Sequence, residues 1–186
     1  MIILLNGPPQ CGKDTIRGII QKNLPSTCEY KMSYPMKDAF RNTFKFTKEA
    51  ADRILEPFKD KTFSYSTNDT QTPRQYQIDY FNFLADRYGK DILAKIAIRA
   101  IGKIKYDNVI VSDCGMSTEV EALKEISLPI HAIQITRPEH TFTDNREYID
   151  FKKYSIPCMP LDNIYDEDLL AVQVKNILKK WRLIRD

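Results

Sequence analysis

The apolar run Ile2-Ile3-Leu4-Leu5, followed at once by Gly7-Pro8-Pro9-Gln10-Cys11-Gly12-Lys13-Asp14-Thr15, constrains the fold of this chain more than any other feature. A short apolar run bounded by turn residues reads as a buried strand, and the pattern from Thr15 to Lys22 reads as a helix. Strand, glycine-bounded loop and helix in that order build an anion cradle. Gly7 and Gly12 let the backbone curl so that its N–H groups converge, and the helix presents its positive end to the same point. Lys13 adds a mobile cation for the outer phosphates of a bound nucleotide. The stretch is thus expected to bind phosphate through Gly7, Pro8, Pro9, Gln10, Cys11, Gly12, Lys13, Asp14 and Thr15. Asp14 stands where the usual pattern has a magnesium-binding hydroxyl, and Thr15 comes one place later.

Beyond this loop, short apolar runs alternate with helical stretches, which predicts an α/β fold with a mainly parallel sheet. The strand candidates are Ile2–Leu5, Tyr30–Met32, Val109–Ser112, Ile130–Ile135 and a weaker run around Ile156–Met159. Helices are expected after Lys13, Pro35, Thr47, Thr72, Asp91, Ser117 and Asp166. Ser117 and Asp166 read as capping residues, and Leu169, Leu170, Val174, Ile177, Leu178 and Trp181 as one apolar face of the last helix. Two stretches break the regularity: Lys59 to Thr72, rich in Ser, Thr, Asn and Asp, and the charged Glu139 to Asp150. Either is a place for an element that closes over a ligand. With 186 residues, one domain is expected. A net charge of +3 does not call for nucleic acid or a membrane. The N-terminal residues read as strand rather than as a secretion signal, so a cytoplasmic location is expected. Cys11, Cys28, Cys114 and Cys158 lack metal-finger spacing and read as free thiols, Cys11 and Cys114 near the nucleotide.

Val109-Ile110-Val111-Ser112-Asp113 is an apolar strand ending in a carboxylate, the position from which an acid holds magnesium or its water in phosphate-loop proteins. Asp14 is the second acid expected near that metal, directly or through water. Thr72-Pro73-Arg74-Gln75 opens a long helical pattern in which Pro73 suits the first turn. Arg74 then sits at a helix N-terminus, where a cation is unfavourable unless an anion joins it. A second phosphate would supply that anion, and so would a surface salt bridge. Arg137, after the fourth strand, could stack on a base or contact phosphate. Arg41, Arg87 and Arg146 read as solvated charges. His131 and His140 have no metal-ligand spacing.

Taken together these residues resemble the nucleoside-monophosphate-kinase branch of phosphate-loop proteins, and in detail the phage-type deoxynucleoside monophosphate kinases. The Gly-Lys-Asp-Thr of the loop, Ser33 to Phe40, Thr72-Pro73-Arg74-Gln75 with Gly89-Lys90-Asp91-Ile92, Val109 to Glu119, Ile135 to Pro138 and Asp162-Asn163 carry the resemblance. It implies a three-layer α/β/α domain with a five-stranded parallel sheet over residues 1–186. It further implies a helical acceptor-binding insertion at about 35–105 and a lid at about 138–152. The implied reaction is Mg2+- and ATP-dependent phosphorylation of a deoxynucleoside 5′-monophosphate. Lys13, Arg74, Asp113 and Arg137 would be catalytic, Arg137 would also contact ATP, and Asp14 and Asp113 would hold the metal. Lys37, Arg74 and Gln75 would bind the acceptor. The implied partners are small nucleotides, with no membrane or direct nucleic-acid contact and a homodimer left open. If phage-encoded, the chain would work in the host cytoplasm.

The chain also departs from this pattern. Where the family tends to have an arginine two places after the strand-ending Asp, this chain has Gly115, and Met116-Ser117-Thr118 replaces Phe-Pro-Asn. A His-x-Ser-Glu segment has no counterpart, and Asp144-Asn145-Arg146-Glu147 lies in roughly that region. Arg137 or Arg146 is the available substitute for the arginine. The departures keep two other readings open: a kinase for a different small acceptor, and a nucleotide-binding regulatory protein that no longer transfers phosphate.

Overall fold

A computed structural model describes residues 1–55, 59–61, 71–164 and 166–185. The chain divides into two compact units, Met1–Met32 with Ala97–Asp186, and Ser33–Ile96. The first unit holds a five-stranded, all-parallel sheet in the order β2-β3-β1-β4-β5. Its strands are β1 (Ile2–Asn6), β2 (Thr27–Tyr30), β3 (Asn108–Val111), β4 (Ile130–Thr136) and β5 (Cys158–Asp162).

Central β1 is wholly buried, as a strand covered on both faces must be. Ile3, Leu5, Ile110, Ile133, Ile135 and Leu161 pack against Ile16, Ile19 and Ile20 of α1 (Lys13–Asn23) and, near the C-terminus, Leu170, Val174, Ile177 and Leu178. Each fully buried aliphatic side chain of this kind contributes about 1.5–3 kcal/mol. The alternate residues Ile2, Leu4, Val109, Val111 and Ala132 are equally buried, on the opposite face by the two-residue period of a strand.

The edge strands are where sequence and structure part. β2 begins at Thr27 and ends at Tyr30, so only Tyr30 of the Tyr30–Met32 candidate is in it, and β5 runs later than the Ile156–Met159 candidate. An edge strand pairs on one side only and tolerates polar residues and proline, which weakens its apolar signature. Thr27 and Glu29 in β2 and Pro160 in β5 are the cases here.

In the second unit, α2 (Tyr34–Thr43), α3 (Lys48–Leu55) and α4 (Pro73–Tyr88) enclose Phe40, Ala51 and Leu55. The Phe40 ring meets Phe44 at 4.7 Å and Tyr76 edge-on at 5.3 Å between centroids. Thr72 caps α4 by accepting from the Gln75 N–H at 3.1 Å. α5 (Ile92–Ile101) runs across the boundary between the units, and α6 (Ser117–Leu123) and α7 (Glu167–Lys180) complete the first.

Asp166 caps α7 as expected, accepting from the Leu169 N–H at 2.9 Å. Leu169 is 50% exposed and leaves the apolar face assigned to it. Ser117 is not the cap of α6. Its hydroxyl donates to Glu147 at 2.6 Å, and the cap position is Met116. Residues 62–70 of the polar stretch after Lys59 lie outside the described residues. No helix among the described residues is long and apolar enough to cross a membrane.

Candidate active site

The chain builds from β1 first to one side, through β2 and β3, and then to the other, through β4 and β5. In such a sheet, ligands bind outside the carboxyl ends of the strands where the winding reverses. β1 ends in the 7–12 loop, β3 leads to Asp113, β4 to Arg137 and β5 to Asn163. All four therefore meet at one end of the sheet.

The loop's two glycines are required for different reasons. A Cβ on Gly7 would lie 2.7 Å from both Cys11 Sγ and the Ile135 carbonyl oxygen, so Gly7 serves close packing. Gly12 has φ of +97°, a left-handed conformation that favours glycine, and the Asn163 amide fills the space beside it. Asn163 Nδ2 donates to the Cys11 carbonyl at 2.8 Å, and Arg137 Nη1 donates to the Gln10 carbonyl at 3.1 Å. Both residues thus hold the loop's apex from neighbouring strand ends. Lys13 Nζ turns back onto the loop and donates to the carbonyls of Gly7 at 2.8 Å and Pro8 at 2.5 Å. Burial holds its ammonium below the usual lysine range, and the Arg146 charge pushes the same way. An arriving phosphate would relieve both effects.

The two acids differ. Asp113 accepts from the Met32 N–H at 2.7 Å, which orients its carboxylate. Asp14 is largely exposed and lies 3.8 Å from Arg17 and 3.7 Å from Lys31. Among the described residues, no cluster of three or more acidic, His or Cys side chains could hold a metal. Two hard carboxylates suit magnesium, which keeps water ligands and takes phosphate oxygens for the rest.

Sequence reasoning missed Asn6, which is fully buried at the tip of β1. Its Nδ2 donates to the carbonyls of Cys114 at 3.2 Å and Glu147 at 2.9 Å. Its Oδ1 accepts from Gln134 Nε2 and the Ile149 N–H, each at 3.2 Å. One side chain thereby ties β1, β4, the 113–116 turn and the 144–149 segment together. The signal was an uncharged polar residue ending a wholly apolar strand. Arg146 is the second residue under-read: it lies on that tied segment, bonded to Asp144 and packed on Gly115. Cys11 and Cys114 are buried in this region, and burial raises both thiols, so they are poor reporters for alkylation.

Glu119 is the third. It is 3% exposed, and one oxygen accepts from the N–H groups of Gly115 at 3.0 Å and Met116 at 3.1 Å. Burial, with the Asp113 charge adding, pushes its carboxyl up to about 7 from an ordinary 4.5. Between those values the folded chain holds a proton that the unfolded chain releases. The resulting stabilisation is full below pH 4.5 and is lost as pH rises through about 7. Urea unfolding of the parent and Glu119→Gln at several pH values is expected to show it. The stability of the parent relative to the variant should fall by on the order of 3 kcal/mol between about pH 4.5 and pH 8. A pH-independent difference would mean that Glu119 is ionised throughout.

Lys37, Arg74 and Gln75 lie in the second unit. Arg74 does have an anion at its helix N-terminus: the Asp60 carboxylate accepts from its Nε and, at 3.3 Å, from its Nη2. Gln75 Nε2 donates to Asp79 at 2.7 Å, and Lys37 lies in α2.

By sequence no family profile and no curated protein matches the chain. By structure it is similar to the thymidylate kinase of Candida albicans, with a TM-score of 0.50 and 14% identity over 100% of this chain and 95% of that one. The tunicamycin resistance protein of Deinococcus radiodurans aligns with a TM-score of 0.48 and 12% identity, over 95% of this chain and 94% of its own. A sugar kinase from Janibacter sp. aligns with a TM-score of 0.46 and 12% identity, over 98% and 94%. The parallel sheet, its strand order and the likeness to the thymidylate kinase together give the chain the phosphate-loop NTPase fold in its nucleoside-monophosphate-kinase-like form.

Proposed function

We propose that this chain transfers the γ-phosphoryl group of Mg2+-ATP to a deoxynucleoside 5′-monophosphate. The observation that carries the reading is the loop itself. It is held open at its apex by Asn163 and Arg137, with Lys13 poised at its base and Asp113 at the next strand end. The fold is one that a thymidylate kinase also uses. In this reading Lys13 exchanges the Gly7 and Pro8 carbonyls for phosphate oxygens, and the loop N–H groups and the α1 dipole take up the remaining charge. Asp14 and Asp113 would hold magnesium, directly or through water, and the metal would neutralise charge on the phosphate oxygens. Little covalent chemistry falls to the protein, which aligns acceptor oxygen and γ-phosphorus. A closing segment within 138–152 would exclude water. The ties of the Glu147 carbonyl and the Ile149 N–H to Asn6 favour its Pro138–Thr143 part as the portion that closes.

ADP formation with magnesium and ATP, measured across deoxy- and ribonucleoside monophosphates, tests the proposal. Turnover with one or a few deoxynucleotides supports it, and a flat panel overturns it. In the same assay Arg74→Ala is expected to raise the acceptor KM at least ~10-fold and leave the KM for ATP within about twofold, since a lost charged hydrogen bond costs about 1.5–3 kcal/mol. Equal effects on both constants would remove Arg74 from the acceptor site. Its pairing with Asp60 favours a second reading, a different phosphorylated or hydroxylated small acceptor, which product identification with a metabolite panel would reveal.

A further inference from the structure

β2 carries an acid that neither the loop nor the metal reading uses. Glu29 pairs in register with Ile110 of β3, and its side chain is only 12% exposed. Its two oxygens have separate partners. Oε1 accepts from the Ser112 hydroxyl at 2.5 Å, and Oε2 accepts from Arg17 Nη1 of α1 at 2.6 Å. Lys31 Nζ lies 3.6 Å from Oε1. One carboxylate thereby joins β2, β3 and α1. It does so beside the strand end where Asp113 follows Ser112 and takes the Met32 N–H at 2.7 Å.

The same two cations also face Asp14. Arg17 Nη2 lies 3.8 Å and Lys31 Nζ 3.7 Å from its Oδ1. Arg17 and Lys31 are thus shared between a mostly buried carboxylate and an exposed one, and the four charges balance. A brace between α1 and β2 would need only Arg17 and Glu29. It would not need Lys31, nor a guanidinium whose Nε is buried without a hydrogen-bond partner among the described residues. What the four groups share is control of the field at Asp14. Glu29 draws both cations toward the sheet, and without its charge both would act on Asp14 alone.

We propose that Glu29 is a positioning residue for magnesium: it holds Arg17 and Lys31 off Asp14 and steadies the strand end that carries Asp113, so that both acids can take the ion. The inference rests on the reading of Asp14 and Asp113 as the metal acids. Glu29 acts through its neighbours and touches neither ion nor nucleotide, as groups behind metal-binding carboxylates commonly do. The role fixes the sign of each substitution. Loss of the Glu29 charge leaves two cations facing Asp14 and weakens the metal. Loss of the Lys31 charge removes one of those cations and strengthens it. Loss of both restores the balance, whereas removing parts of a simple brace would weaken the site every time.

The test compares the parent, Glu29→Gln, Lys31→Met and the Glu29→Gln/Lys31→Met double variant. Titration calorimetry gives the affinity for ADP in excess magnesium and in EDTA, and the ratio of the two isolates the contribution of the metal. Thermal melting shows that each variant folds. The parent is expected to bind ADP about tenfold or more tighter with magnesium. Glu29→Gln should lower the ratio about fivefold, Lys31→Met should raise it by a similar factor, and the double variant should return near the parent. Each change should shrink in about 0.5 M salt, which screens charges this close to the surface. A ratio in Lys31→Met that does not rise would overturn the role, as would a ratio in Glu29→Gln within twofold of the parent's. Should Glu29→Gln fail to fold, Lys31→Met decides alone. A parent ratio within twofold of one would overturn the metal assignment, and this role with it. The expected pattern in a parent that transfers no phosphate would sustain the role and overturn the kinase reading alone.

Discussion

Lys13→Ala is expected to lower kcat/KM by about a thousandfold or more while moving the melting temperature by no more than a few degrees. The two halves of this expectation have separate causes. In the ligand-free loop Lys13 satisfies the Gly7 and Pro8 carbonyls, and water can replace it there, so the loss is about 1 kcal/mol. Its removal also relieves a buried ammonium of its desolvation and of the opposing Arg146 charge, which offsets part of that loss. For a chain of this size 1 kcal/mol corresponds to about 2–4 °C. With nucleotide bound, the same ammonium would face phosphate charge in a site from which water is excluded, where a preorganised cation contributes several kcal/mol to the transition state. Steady-state kinetics with thermal melting checks both halves together. A melting temperature lowered by ten degrees or more would recast Lys13 as a brace for the loop, and the phosphate assignment would lose its main support.

Asn6→Ala is expected to do the reverse, with a large loss of stability first and a loss of activity as its consequence. Truncation leaves the Cys114 and Glu147 carbonyls, the Gln134 amide and the Ile149 N–H without their partner at the buried tip of β1. An unsatisfied buried group costs about 1–3 kcal/mol, and partial relaxation makes on the order of 4 kcal/mol a reasonable total. Thermal melting should then fall by roughly 10 °C. Asn6→Asp, nearly identical in shape, is informative beside it because a carboxylate cannot donate to the two carbonyls. It should lose most of the same stability. Should Asn6→Asp melt within about two degrees of the parent, the two donated bonds contribute little and the bracket is mainly the Gln134 and Ile149 contacts.

These expectations separate by how local their causes are. The strand-loop-helix start, the seven helix positions and the central strands follow from apolar period, glycine placement and capping chemistry, all of which act within a few residues. Edge strands were legible only roughly, since their polar residues hide the period. The tie between Asn6 and Ile149 spans 143 positions. No local pattern predicts which backbone groups a strand-end asparagine will meet.

Arginines show the same division. Arg137 follows an apolar strand, so its place beside the loop could be inferred from its neighbours in the chain, and the structure puts its guanidinium on the Gln10 carbonyl. Arg74 was marked by its mismatch with a helix N-terminus, but only the folded second unit shows that Asp60 supplies an anion there. Arg146 was marked only as one of two available substitutes for the arginine absent at Gly115, with nothing local to choose between them. What singles it out is a glycine 31 positions earlier whose missing side chain admits its stem, a relation that exists only after the 144–149 segment folds back onto the end of β1.

By itself, then, the sequence determined the phosphate-loop start, the α/β alternation and the acid that closes β3, because each is written in contiguous residues. Only the tertiary structure decided which residues surround that loop. The carboxyl ends of β1, β3, β4 and β5 converge from distant parts of the chain, and their side chains acquire partners, burial and shifted charge states only when the sheet is complete.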